Sequence, residues 1–259
     1  MNYIGSKKQI FKELIKYIPE HDIYIEPFFG GGSVFFLKRK AKFNILNDIN
    51  KEVFDFLINI KENKENLINE VKNLVIHEIF LKYYRNKEKT SLENAIFFIL
   101  KNNFTIYSAG TTIRIRKINI EKNKEDIIKK INFFYEMIKD SLITCKDFKD
   151  FFKSIKQILN KKEKKFIYCD PPYLNTEKDY GSNWNVNDFL NLIETLKKIE
   201  KENKNVCFIV SEYENEINTK IAKEFNLNLY KIKNVIAMKK KKKTEIVLTN
   251  IKKEISLFN

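Results

Sequence analysis

Two prolines stand together between a carboxylate and an aromatic ring in "FIYCDPPYLNTE", residues Phe166 to Glu177, in a chain that has only four prolines. Phe166 to Cys169 is short, apolar and β-rich and reads as a buried strand, which puts Asp170 at its carboxyl end. Proline fixes φ and has no N–H, and the residue before a proline is pushed toward extended backbone. Asp170 and the Pro171 carbonyl therefore offer two acceptors on a chain that Pro172 keeps stiff, and Tyr173 adds a flat ring. This set suits a planar ligand with an exocyclic NH2: two acceptors for two amino hydrogens, and a ring to stack on. The plainer reading is a rigid strand exit with a buried tyrosine.

An aromatic amine is a poor nucleophile because its lone pair is delocalised into the ring. Accepting both N–H hydrogens favours pyramidal nitrogen and frees that lone pair. An electrophilic methyl group held in line completes a reaction of this kind, and correct placement of two reactants supplies about 7–11 kcal/mol of the barrier. A negative Asp170 also favours the positive charge that develops on nitrogen.

A second stretch with chemical content is "IYIEPFFGGGSVFF", which begins as a strand and breaks into Gly30, Gly31 and Gly32. Consecutive glycines let the backbone turn tightly and let a ligand approach without interference from a Cβ. A glycine-rich turn after the first strand of an α/β sheet lies where nucleotide-like ligands bind. It is not GxGxxG and lacks the Lys-Ser/Thr of a phosphate-cradling loop. Asp48 follows in "ILNDIN" and is placed to accept hydrogen bonds from ribose hydroxyls. Together the two features indicate a cofactor with a ribose and little phosphate. A structural turn and a helix-capping aspartate are the bland alternative.

The elements that position these residues alternate. Ile23 to Glu26, Phe43 to Leu46, Leu142 to Cys145, Phe166 to Cys169 and Val206 to Val210 read as strands. Gln9 to Ile18 and Asp188 to Lys201 carry helical stripes, the second with Asn187 as N-cap. Such alternation predicts an α/β fold with a mostly parallel sheet covered on both faces. It lapses from about 61 to 139, where helical spacing at Leu67, Val71 and Leu74 and a capping box at Thr90 to Glu93 predict a mostly helical insertion. The insertion ends in "IYSAGTTIRIRKI", with a turn at Gly110 and with Arg114 and Arg116 on one strand face. The chain closes with two strand-like runs around Lys239 to Lys243, which predicts a β-hairpin with a basic loop.

Composition bounds the reading. The 259 residues, 43% hydrophobic, allow one large domain or one domain with an insertion. No apolar run approaches a membrane span, and the N-terminus has no signal-peptide pattern, so a soluble, cytoplasmic protein without a membrane partner is expected. Cys145, Cys169 and Cys207 lie far apart, and with His21 and His77 they form no metal or disulfide pattern. The formal charge of +15 favours a polyanionic partner, nucleic acid first, although a lysine-rich composition alone also gives such an excess.

With these motifs in place, the sequence resembles the Dam-like, α-group (D12 class) DNA adenine-N6 methyltransferases, in motif order as well as content. "YIGSK", Tyr3 to Lys7, is similar to the family's N-terminal cofactor motif. "EPFFGGGS", Glu26 to Ser33, is similar to its S-adenosylmethionine loop, "NDIN" to its ribose-binding acid, and "DPPY" to its catalytic motif. The resemblance implies a Rossmann-like S-adenosylmethionine-dependent methyltransferase sheet with a C-terminal β-hairpin. Residues 1–60 and 140–259 would form the catalytic domain, and 61–139 an inserted, mostly helical target recognition domain. It implies that Tyr3, Lys7, Glu26, Phe28, Phe29, Gly30, Gly32, Ser33, Asp48 and Asp170 hold the cofactor, with Asp147 and Phe148 of "ITCKDF" near its adenine. Asp170, Pro171, Pro172 and Tyr173 would hold a flipped adenine. Arg114, Arg116, Lys117, Tyr180, Lys239, Lys240 and Lys241 are the DNA-contact candidates, each with a structural or solvated role as its alternative. The expected partner is double-stranded DNA, the expected state a monomer, and a cognate restriction endonuclease belongs to the same expectation. N4-cytosine methylation and a non-catalytic DNA-binding protein on a degenerate fold stay open as rivals.

Overall fold

The computed structural model describes residue 7 and residues 10–106, 110–113, 119–174, 184–236 and 242–252. Among the described residues, seven strands form one sheet: β1 Ile23–Glu26, β2 Phe43–Asn47, β3 Leu142–Thr144, β4 Lys165–Cys169, β5 Val206–Tyr213, β6 Asn228–Ile236 and β7 Lys242–Thr249. Their order is β3-β2-β1-β4-β5-β7-β6. β1 pairs with β4 and β4 with β5 in parallel, whereas β7 runs antiparallel to both β5 and β6. This is the mostly parallel, Rossmann-like sheet with a C-terminal hairpin that the alternation and the resemblance predict. β1 and β4 are buried along their whole length, as the covered strands of a parallel sheet are.

The helices among the described residues are, in chain order, α1 Phe11–Leu14, α2 Ser33–Leu37, α3 Lys51–Glu62, α4 Lys64–Asn73, α5 Glu78–Asn86, α6 Ser91–Phe104, α7 Ile120–Ile138, α8 Phe148–Ser154, α9 Lys156–Leu159, α10 Val186–Glu202 and α11 Glu216–Glu224. The described residues fall into two compact units. The first takes them from Phe29–Lys40 and Leu46–Lys146, the second from Lys7–Phe28, Ala41–Ile45 and Asp147–Asn259. Residues 61–139 lie wholly inside the first unit.

In the second unit, Phe151 and Phe152 of α8 and Phe189, Leu192, Ile193 and Leu196 of α10 pack with Ile25, Ile167, Phe208 and Leu248 of the strands. In the first, Phe56 of α3 stacks on Phe98 of α6 at 4.7 Å, and Leu67, Val71, Ile127, Ile131 and the continuous apolar run Ala95–Leu100 are buried. Asp55 is buried there, accepting from Ser91 Oγ at 2.9 Å, Asn94 Nδ2 at 2.6 Å and Lys51 Nζ at 2.6 Å, so its charge is partnered. The Thr90–Glu93 capping box is formed.

Three local expectations differ. The helix predicted over Gln9–Ile18 is only α1 followed by a 3-10 turn at Ile15–Tyr17, because Ile18 turns extended ahead of Pro19. α10 starts earlier than the periodicity indicates: its N-cap is Asn185, not Asn187, and Asp188 completes a capping box. β5 continues past Val210 to Tyr213, because Ser211, Glu212 and Tyr213 pair with Val247, Ile246 and Glu245 of β7.

Candidate active site

β4 delivers Asp170 directly after Cys169. The register of β1 on β4, Ile25 opposite Ile167, brings Glu26 to the same carboxyl edge. Glu26 is buried and accepts from Tyr24 OH at 2.9 Å. The Asp170 side chain is 21% exposed, and its Oδ1 lies 2.8 Å from Lys7 Nζ. Burial raises the Asp170 pKa from its ordinary value, against the pull of Lys7 and then of Tyr173. Pro171 is buried and Pro172 half-buried.

Tyr173 is 6% exposed. Its ring meets Tyr213 edge-on at 4.6 Å and carries the Lys7 ammonium 4.5 Å from its centroid. Its hydroxyl donates to Glu245 on β7, and Lys7 Nζ lies 3.4 Å from the same carboxylate oxygen. The Tyr173 pKa stands well above the phenol range, through burial first and then through Asp170 and Glu245, so the hydroxyl keeps its proton and donates. Glu212 of β5 accepts from the backbone amides of Leu174 at 2.9 Å and Tyr213 at 2.7 Å. Burial pushes its pKa up to about 8. The motif at the end of β4 is thus held from below by Glu212 and Glu245, which the sequence reading did not single out. The signal was present: each is a lone carboxylate in an apolar strand run, "FIVSEY" and "TEIVLT".

A separate wall in the second unit gathers Phe28, Phe148 and Trp184. Phe28 lies 5.8 Å from Phe148, and Trp184 meets Phe28 at 5.5 Å and Phe148 at 5.7 Å, both edge-on. Asp147 is exposed, and its carboxylate accepts from Lys149 N at 2.9 Å, which caps α8.

In the first unit, the glycine loop is fixed by Phe29 N donating to Asn47 O at 2.9 Å and Gly32 N donating to Phe29 O at 2.7 Å. Gly30 and Gly32 have φ of 51° and 62°, and a Cβ at Gly32 would overlap the Phe29 ring. Ser33 opens α2. Asp48 accepts from Gly30 N at 2.6 Å and from Asn50 N at 2.8 Å, so the two sequence-predicted features are joined by a hydrogen bond. Burial pushes the Asp48 pKa up to about 6 against the pull of both amides.

Tyr3, Arg114, Arg116, Lys117, Tyr180, Lys239, Lys240 and Lys241 lie outside the described residues. Gly110 has φ of 67°, and its carbonyl accepts from Arg85 of α5. Ile113 bridges Thr105 and Ile106 N donates to Thr112 O at 3.0 Å, whereas residues 107–109 and 114–118 of the expected basic hairpin lie outside the described residues. No helix among the described residues is long and apolar enough to cross a membrane.

Known proteins line up with the chain over most of its length. It is 22% identical to the DNA adenine methylase of Vibrio cholerae over 92% of this chain and 89% of that protein. It is 24% identical to the Type II methyltransferase M1.LlaDCHI of Lactococcus lactis subsp. cremoris, over 96% and 93% of the two chains. It is 25% identical to the Type II methyltransferase M.MjaIII of Methanocaldococcus jannaschii, over 95% and 94%. Residues 3–241 match the model of the D12 class N6 adenine-specific DNA methyltransferases, and the chain belongs to that family.

Proposed function

We propose that the chain transfers a methyl group from S-adenosylmethionine to N6 of an adenine turned out of double-stranded DNA. The observation that carries this reading is the pairing of a half-buried carboxylate, Asp170, with the fixed ring of Tyr173 at the end of β4. An amino group inside a duplex is out of reach, so the base has to leave the stack. Asp170 and the Pro171 carbonyl then accept its two hydrogens, and the negative carboxylate favours the charge that grows on N6. Lys7 lowers the Asp170 pKa against the rise that burial gives it, which favours the ionised, accepting form that this requires.

S-adenosylmethionine supplies the electrophilic methyl group. The residues fit such a cofactor. Asp48 is a half-buried acceptor for ribose hydroxyls on a loop whose Gly32 tolerates no side chain. Phe28 and Phe148 offer an apolar aromatic wall that suits an adenine ring. Arg114, Arg116, Lys117, Tyr180, Lys239, Lys240 and Lys241 are proposed for DNA, on sequence grounds. A monomer in the cytoplasm is proposed, and a companion restriction endonuclease rests on the Type II names of two relatives.

The test is product identity. The protein is incubated with S-adenosylmethionine and unmethylated duplex DNA of mixed sequence, and the digested nucleosides are analysed by mass spectrometry. N6-methyladenine supports the reading. N4-methylcytosine keeps the chemistry and overturns the base, and no methylated base overturns the activity.

A further inference from the structure

Glu245 is 3% exposed at the last registered pair of the antiparallel pairing of β5 with β7, directly opposite Tyr213. A carboxylate at such a place loses hydration and must be compensated. Burial raises its pKa, Asp170 adds to the rise, and Lys7 and Tyr173 lower it. A backbone carbonyl or a serine would satisfy one phenol hydroxyl with no buried charge. Glu245 does more: one oxygen serves the Tyr173 hydroxyl and the Lys7 ammonium together. The Tyr173 ring is thereby held at three points, by its hydroxyl on Glu245, by its edge on Tyr213 and by the ammonium over its face. Two of these three depend on Glu245, one directly and one through Lys7.

We propose that Glu245 is a positioning residue for methyl transfer, acting chiefly through the Tyr173 hydroxyl to set the plane of the ring on which the target base stacks. This rests on reading Asp170 to Tyr173 as the base-holding motif. A ring free to turn about its χ angles would let the base tilt, and with it the amino nitrogen relative to the methyl group. Glu212 holds the backbone of the same segment through Leu174, so the side chain and the main chain of the motif are fixed by neighbouring positions of two paired strands.

A double-mutant cycle separates this role from a structural one. Glu245→Met keeps the volume and removes the acceptor, Glu245→Gln keeps an acceptor, and Tyr173→Phe removes the donor. Single-turnover methylation of a duplex oligonucleotide is measured with saturating cofactor, beside DNA affinity and melting temperature. Glu245→Met is expected to slow the chemical step about tenfold or more, with DNA affinity changed less than about threefold, since small misplacements weigh heavily on rate. Glu245→Gln is expected to restore most of the rate. In the Tyr173→Phe background, Glu245→Met should remove less than about threefold further, because coupled residues are not additive. Equal losses in both backgrounds, or an unchanged rate in Glu245→Met, overturn the proposal. Should Glu245→Met fail to fold, Glu245→Gln decides alone: a rate within about threefold of the parent supports the role, and a tenfold loss at an unchanged melting temperature overturns it. A parent chain that forms no N6-methyladenine instead removes the base-holding reading itself, which sets that failure apart from a failure of Glu245.

Discussion

Lys7 and Asp170 form an ion pair, Nζ to Oδ1 at 2.8 Å, and both side chains are largely withdrawn from solvent. The ammonium thus lies between the carboxylate proposed to accept from the target amine and the face of the Tyr173 ring. An N–H donor that pairs with a carboxylate and covers an aromatic face has the same recognition chemistry as the amino edge of an adenine.

Asp170→Ala removes one of the two acceptors and the negative charge. Turnover should fall by at least about a hundredfold, the scale seen when one preorganised electrostatic group is lost. Cofactor affinity should stay largely in place. Near-normal turnover would sink the role given to Asp170.

Lys7→Met tests the pair from the other side. Lys7 lowers a pKa that burial raises, so without it the Asp170 pKa rises further. Only ionised Asp170 accepts from the amine. The acid limb of the single-turnover pH–rate profile should therefore move to higher pH than in the parent chain. The pKa values of the nearby Glu245 and Glu212 are also raised, and the same profiles of Glu245→Gln and Glu212→Gln show whether either sets the limb. A limb that stays put in Lys7→Met means that the ion pair does not govern Asp170.

Gly32→Ala meets two obstacles, a φ of 62° and the Phe29 ring where the new methyl would go. The left-handed conformation alone costs about 1–2 kcal/mol for a residue with a Cβ. Cofactor affinity should drop more than DNA affinity, because the loop must shift around Asp48. Titration calorimetry with S-adenosylmethionine reads the effect, and unchanged affinity and melting temperature would contradict the account of the loop.

Glu212 gives a sign for stability against pH. Its pKa rises from an ordinary 4.5 to about 8 on folding, through burial. Below the unfolded value both states hold the proton, and the full stability is present. Between the two values the folded state keeps a proton that the unfolded chain has lost, so stability declines as pH rises toward 8. Asp48, Glu245 and Asp170 are raised too and act in the same direction. Glu212→Gln should flatten the difference between urea midpoints at about pH 5 and about pH 8.5. An undiminished slope would show that Glu212 is not protonated in the folded state.

The net charge of +15 should appear in the binding of non-target duplex. The slope of log affinity against log salt is expected at about −0.9 per phosphate neutralised. Neutral replacements at Lys239 to Lys241 should make it shallower, and an unchanged slope would leave those lysines solvated. Lys242 and Lys243, expected in the same loop, are instead paired in β7, with Lys243 Nζ 4.5 Å from the Tyr213 ring centroid.

The parts of this molecule that were readable in sequence are those set by local pattern. The strand Ile23–Glu26, the Thr90–Glu93 capping box and the closing hairpin each follow from a few consecutive residues. So does the placement of Asp170, because an apolar run followed by two prolines fixes both the strand and its end. Glu212 and Glu245 were not readable in the same way. Their meaning comes from partners 38 and 72 residues away, Leu174 and Tyr173, brought near by strand pairing. For the same reason β5 outran its apolar stretch: Ser211 and Glu212 look like a strand end until β7 is laid beside them. Asp48 was legible as an acid after a strand, but its grip on the Gly30 amide was not.

Trp184 is the only tryptophan of the chain, and its indole stands edge-on to both Phe28 and Phe148. The red-edge fluorescence of the whole protein, excited where tyrosine no longer absorbs, therefore originates from one wall of the second unit. Any ligand that inserts against Phe28 or Phe148 should change the colour and lifetime of that emission, so the molecule carries its own optical gauge of whether that wall is wet or covered.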